Sequence, residues 1–318
     1  MAHKIIIDTD PGIDDAMAIA YAVAHPGLEL LGLTTIFGNV RVHEATANAL
    51  RLLDAWGSSA DVAEGATRPM VIEPHEPSYL VHGRNGFGGY EIPASSRSAH
   101  ALDAADYISE MTRRHPGEIS LCAIGPLTNL AILLDRDPGV VDRVKQVVVM
   151  GGAVHHKGNV TPMAEANFWN DPHAADIVLN ARWPLVLAPL DCTMPVVFSP
   201  DFMDRLAEDA PALGTPLNAM AKFYSRFYRA YVGLNGCVPH DQMALSWLTV
   251  PGAFRVQKGA VAVQREDPAK GQCLFQPAGT TSRADIFHGR PDIDVLVDTD
   301  ARIFSADYVR VLSAFAGK

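Results

Sequence analysis

The sequence predicts an α/β fold: a central, mostly parallel sheet, mixed at one end, flanked by helices on both faces. Three observations lead there. Short, continuous apolar runs alternate along the chain with longer stretches of helical composition. Strands that are apolar on consecutive residues, not on alternate ones, belong to sheets covered on both faces. Polar and glycine residues gather where those runs end, and in open α/β sheets ligands bind outside the carboxyl ends of the strands.

Taken in order, the elements are these. Ile5-Ile6-Ile7 is a β-branched run closed by Asp8-Thr9-Asp10-Pro11-Gly12. An Ala/Met/Ile-rich stretch from about Asp14 to Ala24 reads as a helix stopped by His25-Pro26-Gly27. Leu28 to Ile36 reads as a strand ending in Phe37-Gly38-Asn39, and a helical pattern covers about His43 to Trp56. Residues 64–100 are rich in Pro, Gly, Ser and His, too long for an ordinary connection, so a functional segment or short elements are expected there. A helix near Asp103–His115 precedes a strand, Ile119 to Ile124, closed by Gly125-Pro126. Val147 to Met150 is a strand closed by Gly151-Gly152, and Leu185 to Leu190 another closed by Asp191. Alternation and Gly-rich turns over about 253–298 suggest a small antiparallel addition, and a helix near Ala306–Phe315 closes the chain. No internal repeat and no shift in composition divides the 318 residues, so one domain over 1–318 is expected.

Composition narrows the function. With 48% hydrophobic residues the chain can bury a large core. A net charge of −10 argues against a nucleic-acid or anionic-membrane partner. Cys122, Cys192, Cys237 and Cys273 are widely spaced, which fits reduced thiols better than a disulfide framework or a zinc knuckle. There is no signal-peptide pattern and no apolar run of transmembrane length, so a soluble, cytoplasmic protein is expected.

The chemistry concentrates at Asp8-Thr9-Asp10-Pro11-Gly12-Ile13-Asp14-Asp15, four carboxylates in eight residues at a strand-to-helix turn. Carboxylates this close repel, and a bound cation is the simplest remedy. All-oxygen ligands point to a hard ion, Ca²⁺ or Mg²⁺. Helix capping accounts for one or two of these acids, not for four. A haloacid-dehalogenase-type phosphatase also opens on an apolar strand and D-x-D, but Gly12 stands where that pattern needs Thr or Val, and Asp14-Asp15 lies outside it. His240-Asp241 opens a helical stretch, as a cap or as part of a site. Asn159, Glu165 and Asn167 lie in a polar loop, an amide and carboxylate set that suits vicinal hydroxyls. Tyr224, Tyr228 and Tyr231 recur at helical spacing, as core packing or as an aromatic lid.

Asp8-Thr9-Asp10-Pro11-Gly12-x-Asp14-Asp15 resembles the N-terminal signature of the inosine–uridine-preferring nucleoside hydrolase family. Phe37-Gly38-Asn39, Val81-His82-Gly83-Arg84-Asn85-Gly86, Ile124-Gly125-Pro126-Leu127-Thr128-Asn129, Met150-Gly151-Gly152, Gly158-Asn159-Val160-Thr161-Pro162, Ala164-Glu165-x-Asn167 and His240-Asp241 are similar to that family's segments, in the same order. The resemblance implies a Rossmann-like single-domain fold and Ca²⁺-dependent hydrolysis of the N-glycosidic bond of free ribonucleosides. It implies Asp10, Asp15, Asp241 and the main-chain carbonyl of Ile124 as metal ligands. It implies Asp14, Asn39, Asn159, Glu165 and Asn167 on the ribose hydroxyls, with Met150 against the sugar. Asp10 is implied as general base, His240 as the acid for the leaving base, and His82 on a mobile loop beside it. Tyr224 and Tyr228 are then expected over the nucleobase. A homodimer or homotetramer is implied as well. Ala166 departs from the family's usual Phe, which removes an expected contact to the base. A phosphatase and a non-catalytic Ca²⁺-dependent riboside-binding protein are the alternatives.

Overall fold

The computed structural model describes residues 2–281 and 285–316. Its nine strands are β1 (His3–Thr9), β2 (Leu28–Thr35), β3 (Asp61–Glu64), β4 (Ile119–Ala123), β5 (Gln146–Met150), β6 (Leu185–Ala188), β7 (Phe254–Val263), β8 (Cys273–Pro277) and β9 (Ile293–Thr299). They form one sheet in the order β3-β2-β1-β4-β5-β6-β9-β7-β8. From β1 the chain first winds outward through β2 to β3, then returns to lay β4, β5 and β6 on the other side. β1 pairs in parallel with both β2 and β4, so the strand order reverses across β1 and β4. That reversal opens the crevice in which doubly wound sheets bind ligands.

The apolar runs explain the layering. In β1, Ile5 and Ile7 face one core while Ile6 faces the other, and all three are buried. The same alternation recurs in β5, where Val148 and Met150 join the first core and Val147 and Val149 the second. Burying each such side chain contributes about 1.5–3 kcal/mol, which is why both faces must be covered by helices.

The sequence places the strands before residue 190 within a residue or two, except β3. Three differences have physical causes. Asp61-Val62-Ala63-Glu64 is too short and too polar at its ends to stand out, yet it pairs with β2 in the sheet. Leu185–Leu190 ends as a strand at Ala188, because Pro189 breaks the ladder and Leu190–Thr193 turns into one helical turn. The C-terminal addition is part of the main sheet: β7 and β8 are antiparallel, but β9 runs parallel to β6 and sits between β6 and β7. The last helix spans Ala301–Ser313, earlier than the hydrophobic pattern suggests, because Asp300 caps it by accepting from the N–H groups of Arg302 and Ile303. Within 64–100 lies one short helix, Tyr79–His82.

Candidate active site

The end of β1 and the starts of two helices deliver the acidic floor, beside the end of β4. β1 ends at Thr9, and the turn Asp10-Pro11-Gly12 leads into the helix Ile13–Ala24, whose first turn carries Asp14 and Asp15. Asp15 is fixed from all sides. It accepts from the Thr9 hydroxyl at 2.5 Å, the Gly12 N–H at 2.9 Å, the Asp10 N–H at 3.2 Å and the Asn39 amide at 3.0 Å. Asp10 accepts from the Asn39 N–H at 2.6 Å through one oxygen, while its Oδ1 is buried without a partner. Asp14 Oδ1 is likewise unpartnered, and its Oδ2 accepts from the Tyr224 hydroxyl at 3.1 Å. Asp241 stands at the start of the helix Gln242–Thr249 but makes no side-chain cap, so the capping alternative for it fails.

Two glycines permit this crowding. A Cβ at Gly125 would lie 2.7 Å from Asp10 Oδ1, and one at Gly12 would lie 2.6 Å from His82 Nδ1. Only a residue without a side chain fits at either place.

The electrostatics follow from burial. Asp10, Asp14, Asp15 and Asp241 are all buried. Loss of solvent pushes the Asp14 carboxyl up to about 8, with repulsion from Asp15 adding to it. Asp10 and Asp241 are driven well above the ordinary carboxylate range by burial first and by neighbouring aspartates second. Oxygens of Asp14, Asp15 and Asp241 lie within 4.8 Å of one another, an acidic cluster that could hold a metal ion. Asp10 is not among these three, but its Oδ1, like Asp14 Oδ1, is buried with no hydrogen-bond partner, the state of a carboxylate oxygen suited to a hard cation. The cluster includes Asp14, which the family resemblance gives to the sugar.

Above this floor is a cavity of about 250 Å³. Asp14, Asn39, His82, Ile124, Met150, Asn159, Glu165, Asn167, Tyr224, Tyr228, His240 and Asp241 all line it. Asp10 and Asp15 lie buried behind Asn39, which bonds both. One wall is set by Glu165, whose carboxylate caps the short helix Ala166–Asn170 by accepting from the N–H groups of Asn167 at 2.8 Å and Phe168 at 3.2 Å. Glu165 also accepts from Gly152, and burial raises its carboxyl to about 7. The Asn167 amide reaches the carbonyls of Ile124 at 3.0 Å and Met150 at 3.2 Å, tying this wall to the ends of β4 and β5. Asn159 accepts from the Ala166 N–H at 3.0 Å.

The facing wall is aromatic. Tyr224 lies at the end of the helix Pro211–Phe227, and Tyr228 opens a π-helical turn, Tyr228–Val232. Both rings are buried in the core with their hydroxyls turned to polar partners, whereas Tyr231 is 65% exposed. The tyrosines are thus wall and core at once. The Tyr228 hydroxyl is 2.6 Å from His240 Nε2, and His240 Nδ1 is 2.7 Å from the Thr193 hydroxyl. His82 Nδ1 accepts from the Ile13 N–H at 3.1 Å, which leaves the ring proton on Nε2. Burial pushes both imidazoles down to about 3, so both are neutral near pH 7.

Sequence reasoning missed the supports. Thr193 orients His240. Asn129 holds Asp8 at 2.7 Å together with the Thr34 hydroxyl at 2.5 Å, placing Asp8 beneath the site and not in it. Asp191 accepts from the N–H groups of Val154 and His155 and fixes the loop after β5. Asn129 had a signal as the last residue of the Gly125-Pro126 segment and Asp191 as the polar residue closing a strand, whereas Thr193 had none.

A doubly wound sheet with buried carboxylates at its switch point, amides beside them and buried histidines opposite defines a class: α/β proteins with a small-molecule pocket over a floor suited to a hard cation. Known proteins make this specific. The family model described as inosine-uridine preferring nucleoside hydrolase matches residues 5–306. Uridine nucleosidase 1 of Arabidopsis thaliana is 38% identical over 274 residues, 86% of this chain and 82% of the relative. The non-specific ribonucleoside hydrolase RihC of Escherichia coli is 35% identical over 314 residues, 98% of this chain and 99% of the relative. A plant nucleoside hydrolase structure superposes with a TM-score of 0.95 at 34% identity, covering 99% of this chain and 100% of that one. A purine-preferring ribonucleoside hydrolase from Gardnerella vaginalis superposes with a TM-score of 0.90 at 30% identity, covering 98% and 99%. The chain belongs to the inosine-uridine preferring nucleoside hydrolase family and is an N-glycosyl hydrolase of ribonucleosides. This sets aside the phosphatase and the non-catalytic binder.

Proposed function

We propose that the reaction depends on one Ca²⁺ held by Asp10, Asp15, Asp241 and the Ile124 carbonyl, with Asp14 beside it. The observation that carries this reading is the pair of buried, unpartnered oxygens, Asp10 Oδ1 and Asp14 Oδ1, at an all-oxygen floor. When bound, the ion supplies Lewis acidity to water and neutralises the aspartates. Asp10, with one oxygen fixed by the Asn39 N–H and the other without a protein partner, would both help to hold the ion and take the proton of the attacking water. Asp14, Asn39, Asn159, Glu165 and Asn167 hold the ribose hydroxyls, and Met150 packs on the sugar. Their carboxylates face the positive charge that develops on the sugar as the glycosidic bond breaks. Opposite, the Tyr228–His240 pair, anchored by Thr193, passes a proton to the departing nucleobase and is reprotonated from solvent. His82, neutral with its proton on Nε2, offers a second donor.

With His82 and His240 both present, the substrate range proposed is pyrimidine-accepting or broad, in line with relatives named for uridine and for ribonucleosides without preference. A homodimer or homotetramer in the cytoplasm is the proposed form, checked by light scattering and by fractionation. Among the described residues no helix is long and apolar enough to cross a membrane. The test is a panel of purine and pyrimidine nucleosides scored for free-base release with kcat/KM, after exhaustive chelation and with Ca²⁺ or Mg²⁺ restored. Full activity in the chelated protein would refute the metal reading; restoration by Mg²⁺ alone would refute Ca²⁺.

A further inference from the structure

We propose that His75, Trp169 and Lys270 form a clasp that holds two parts of the pocket wall at their working separation, with His75 as the positioning residue. The segment 65–78 has no regular structure, yet it is tied to the body at intervals. The Ala66 N–H donates to Asn129 Oδ1 at 2.8 Å, and the Met70 N–H donates to Asp171 Oδ2 at 2.9 Å. The last tie before the pocket is His75. Its imidazole stacks on the Trp169 indole with centroids 3.6 Å apart and planes 14° apart. Lys270 Nζ donates to His75 Nε2 at 3.3 Å and lies 4.9 Å from the centre of the same indole. Three half-buried side chains from three separate segments therefore close on one another.

What lies on either side gives the clasp its purpose. Three residues beyond His75 the chain delivers Ser78, and then Val81 and His82, to the pocket. Trp169 belongs to the five-residue helix Ala166–Asn170, which delivers Ala166 and Asn167. One turn of helix is not stable by itself and depends on what it packs against. Phe168 is fully buried and anchors the turn from inside, while Trp169 anchors it from outside. Asn167 directly precedes these two anchors in the same turn, with its amide on the Ile124 and Met150 carbonyls. Lys270 adds a third line of support, since, two residues on, Gln272 bridges to Ala164, next to Glu165. None of the three clasp residues lines the pocket, so their effect on substrate passes through the wall.

The inference rests on the proposed contacts of Asn167 and His82 with substrate. It is tested with His75→Ala, His75→Phe, Trp169→Leu and the His75→Ala/Trp169→Leu double variant. Uridine and inosine kinetics, thermal melts and limited proteolysis without substrate are measured on each. His75→Ala is expected to raise KM on the order of ten-fold, the scale of one lost stacking and cation contact, with kcat within about two-fold. His75→Phe, which keeps a ring on Trp169, recovers most of that loss, and the double variant is no worse than Trp169→Leu alone. Cleavage within 65–78 becomes faster in His75→Ala at an unchanged melting temperature. Unchanged KM and cleavage, additive losses in the double variant, or a kcat loss as large as the KM change would each overturn the clasp. A wild-type protein that turns over no riboside would overturn the functional reading instead, and the proteolysis comparison would still decide the clasp.

Discussion

At the scale of single residues, Asp10 and His240 are separable by substrate. Asp10→Asn keeps the shape but removes the base and a metal ligand, so kcat is expected to fall ~10³-fold or more on every riboside. His240→Ala removes only help to the leaving group. It is expected to cost ~10²–10⁴-fold on inosine and uridine and to leave p-nitrophenyl riboside nearly untouched, because that group departs without a proton. Equal losses for His240→Ala on all three substrates would make His240 a binding residue. Tyr228→Phe deletes one hydroxyl at 2.6 Å from His240 and should lower kcat on uridine ~2–10-fold, the usual worth of one hydrogen bond. No change there would detach Tyr228 from the leaving-group side. The aspartates were legible because repulsion between near neighbours in sequence shows without a structure. Thr193 was not, since its bond to His240 joins residues 47 apart through a helical turn that only folding creates.

At the scale of elements, the close approach of the β1 and β4 ends carries the site. Gly125→Ala would push a methyl to 2.7 Å from Asp10 Oδ1 and into Ile36. We expect a stability loss of about 1–3 kcal/mol, as for other overpacked positions, and a fall in kcat well beyond it on every nucleoside. A variant with normal kcat would show that Asp10 can shift freely, against its role as base. Strands buried on both faces were readable in sequence because consecutive apolar residues leave few other placements. Helices such as Thr128–Arg136 and Pro172–Asn180, which lie between those strands, went unread as the polar and proline residues around them mask the period. The long segment 64–100 stands out by its length, but its ties to Asn129, Asp171 and Trp169 depend on residues in or capping helices brought from elsewhere in the chain.

At the scale of the whole molecule, the acidic floor links stability to metal and pH. In the chelated protein Asp14 titrates near 8 against an ordinary value of 3.8, and Asp10 and Asp241 are raised with it. Between about pH 4 and pH 8 the folded state then holds more protons than the unfolded chain, so stability falls as pH rises through that window. The melting temperature of the chelated protein is expected to decline from pH 5 to pH 8. Saturating Ca²⁺ should raise it at pH 8 by mass action and flatten the slope. A chelated protein whose melting temperature is flat or rising over that range would show that these carboxylates are not strained without metal.

The insertion of β9 between β6 and β7 also fixes an order of assembly. A ribosome releases β7 and β8 before β9, yet the hairpin of β7 and β8 reaches the main sheet only through β9. Until residues 293–299 emerge, the nascent chain exposes β6 as an open edge and carries the hairpin undocked. Asp241 is made before that point, yet the sheet that carries Asp10 gains its final width only when the last strand zips into the gap. Chains stalled or truncated ahead of residue 293 should therefore be caught by chaperones or aggregate through the β6 edge, although every proposed active-site residue has already been synthesised.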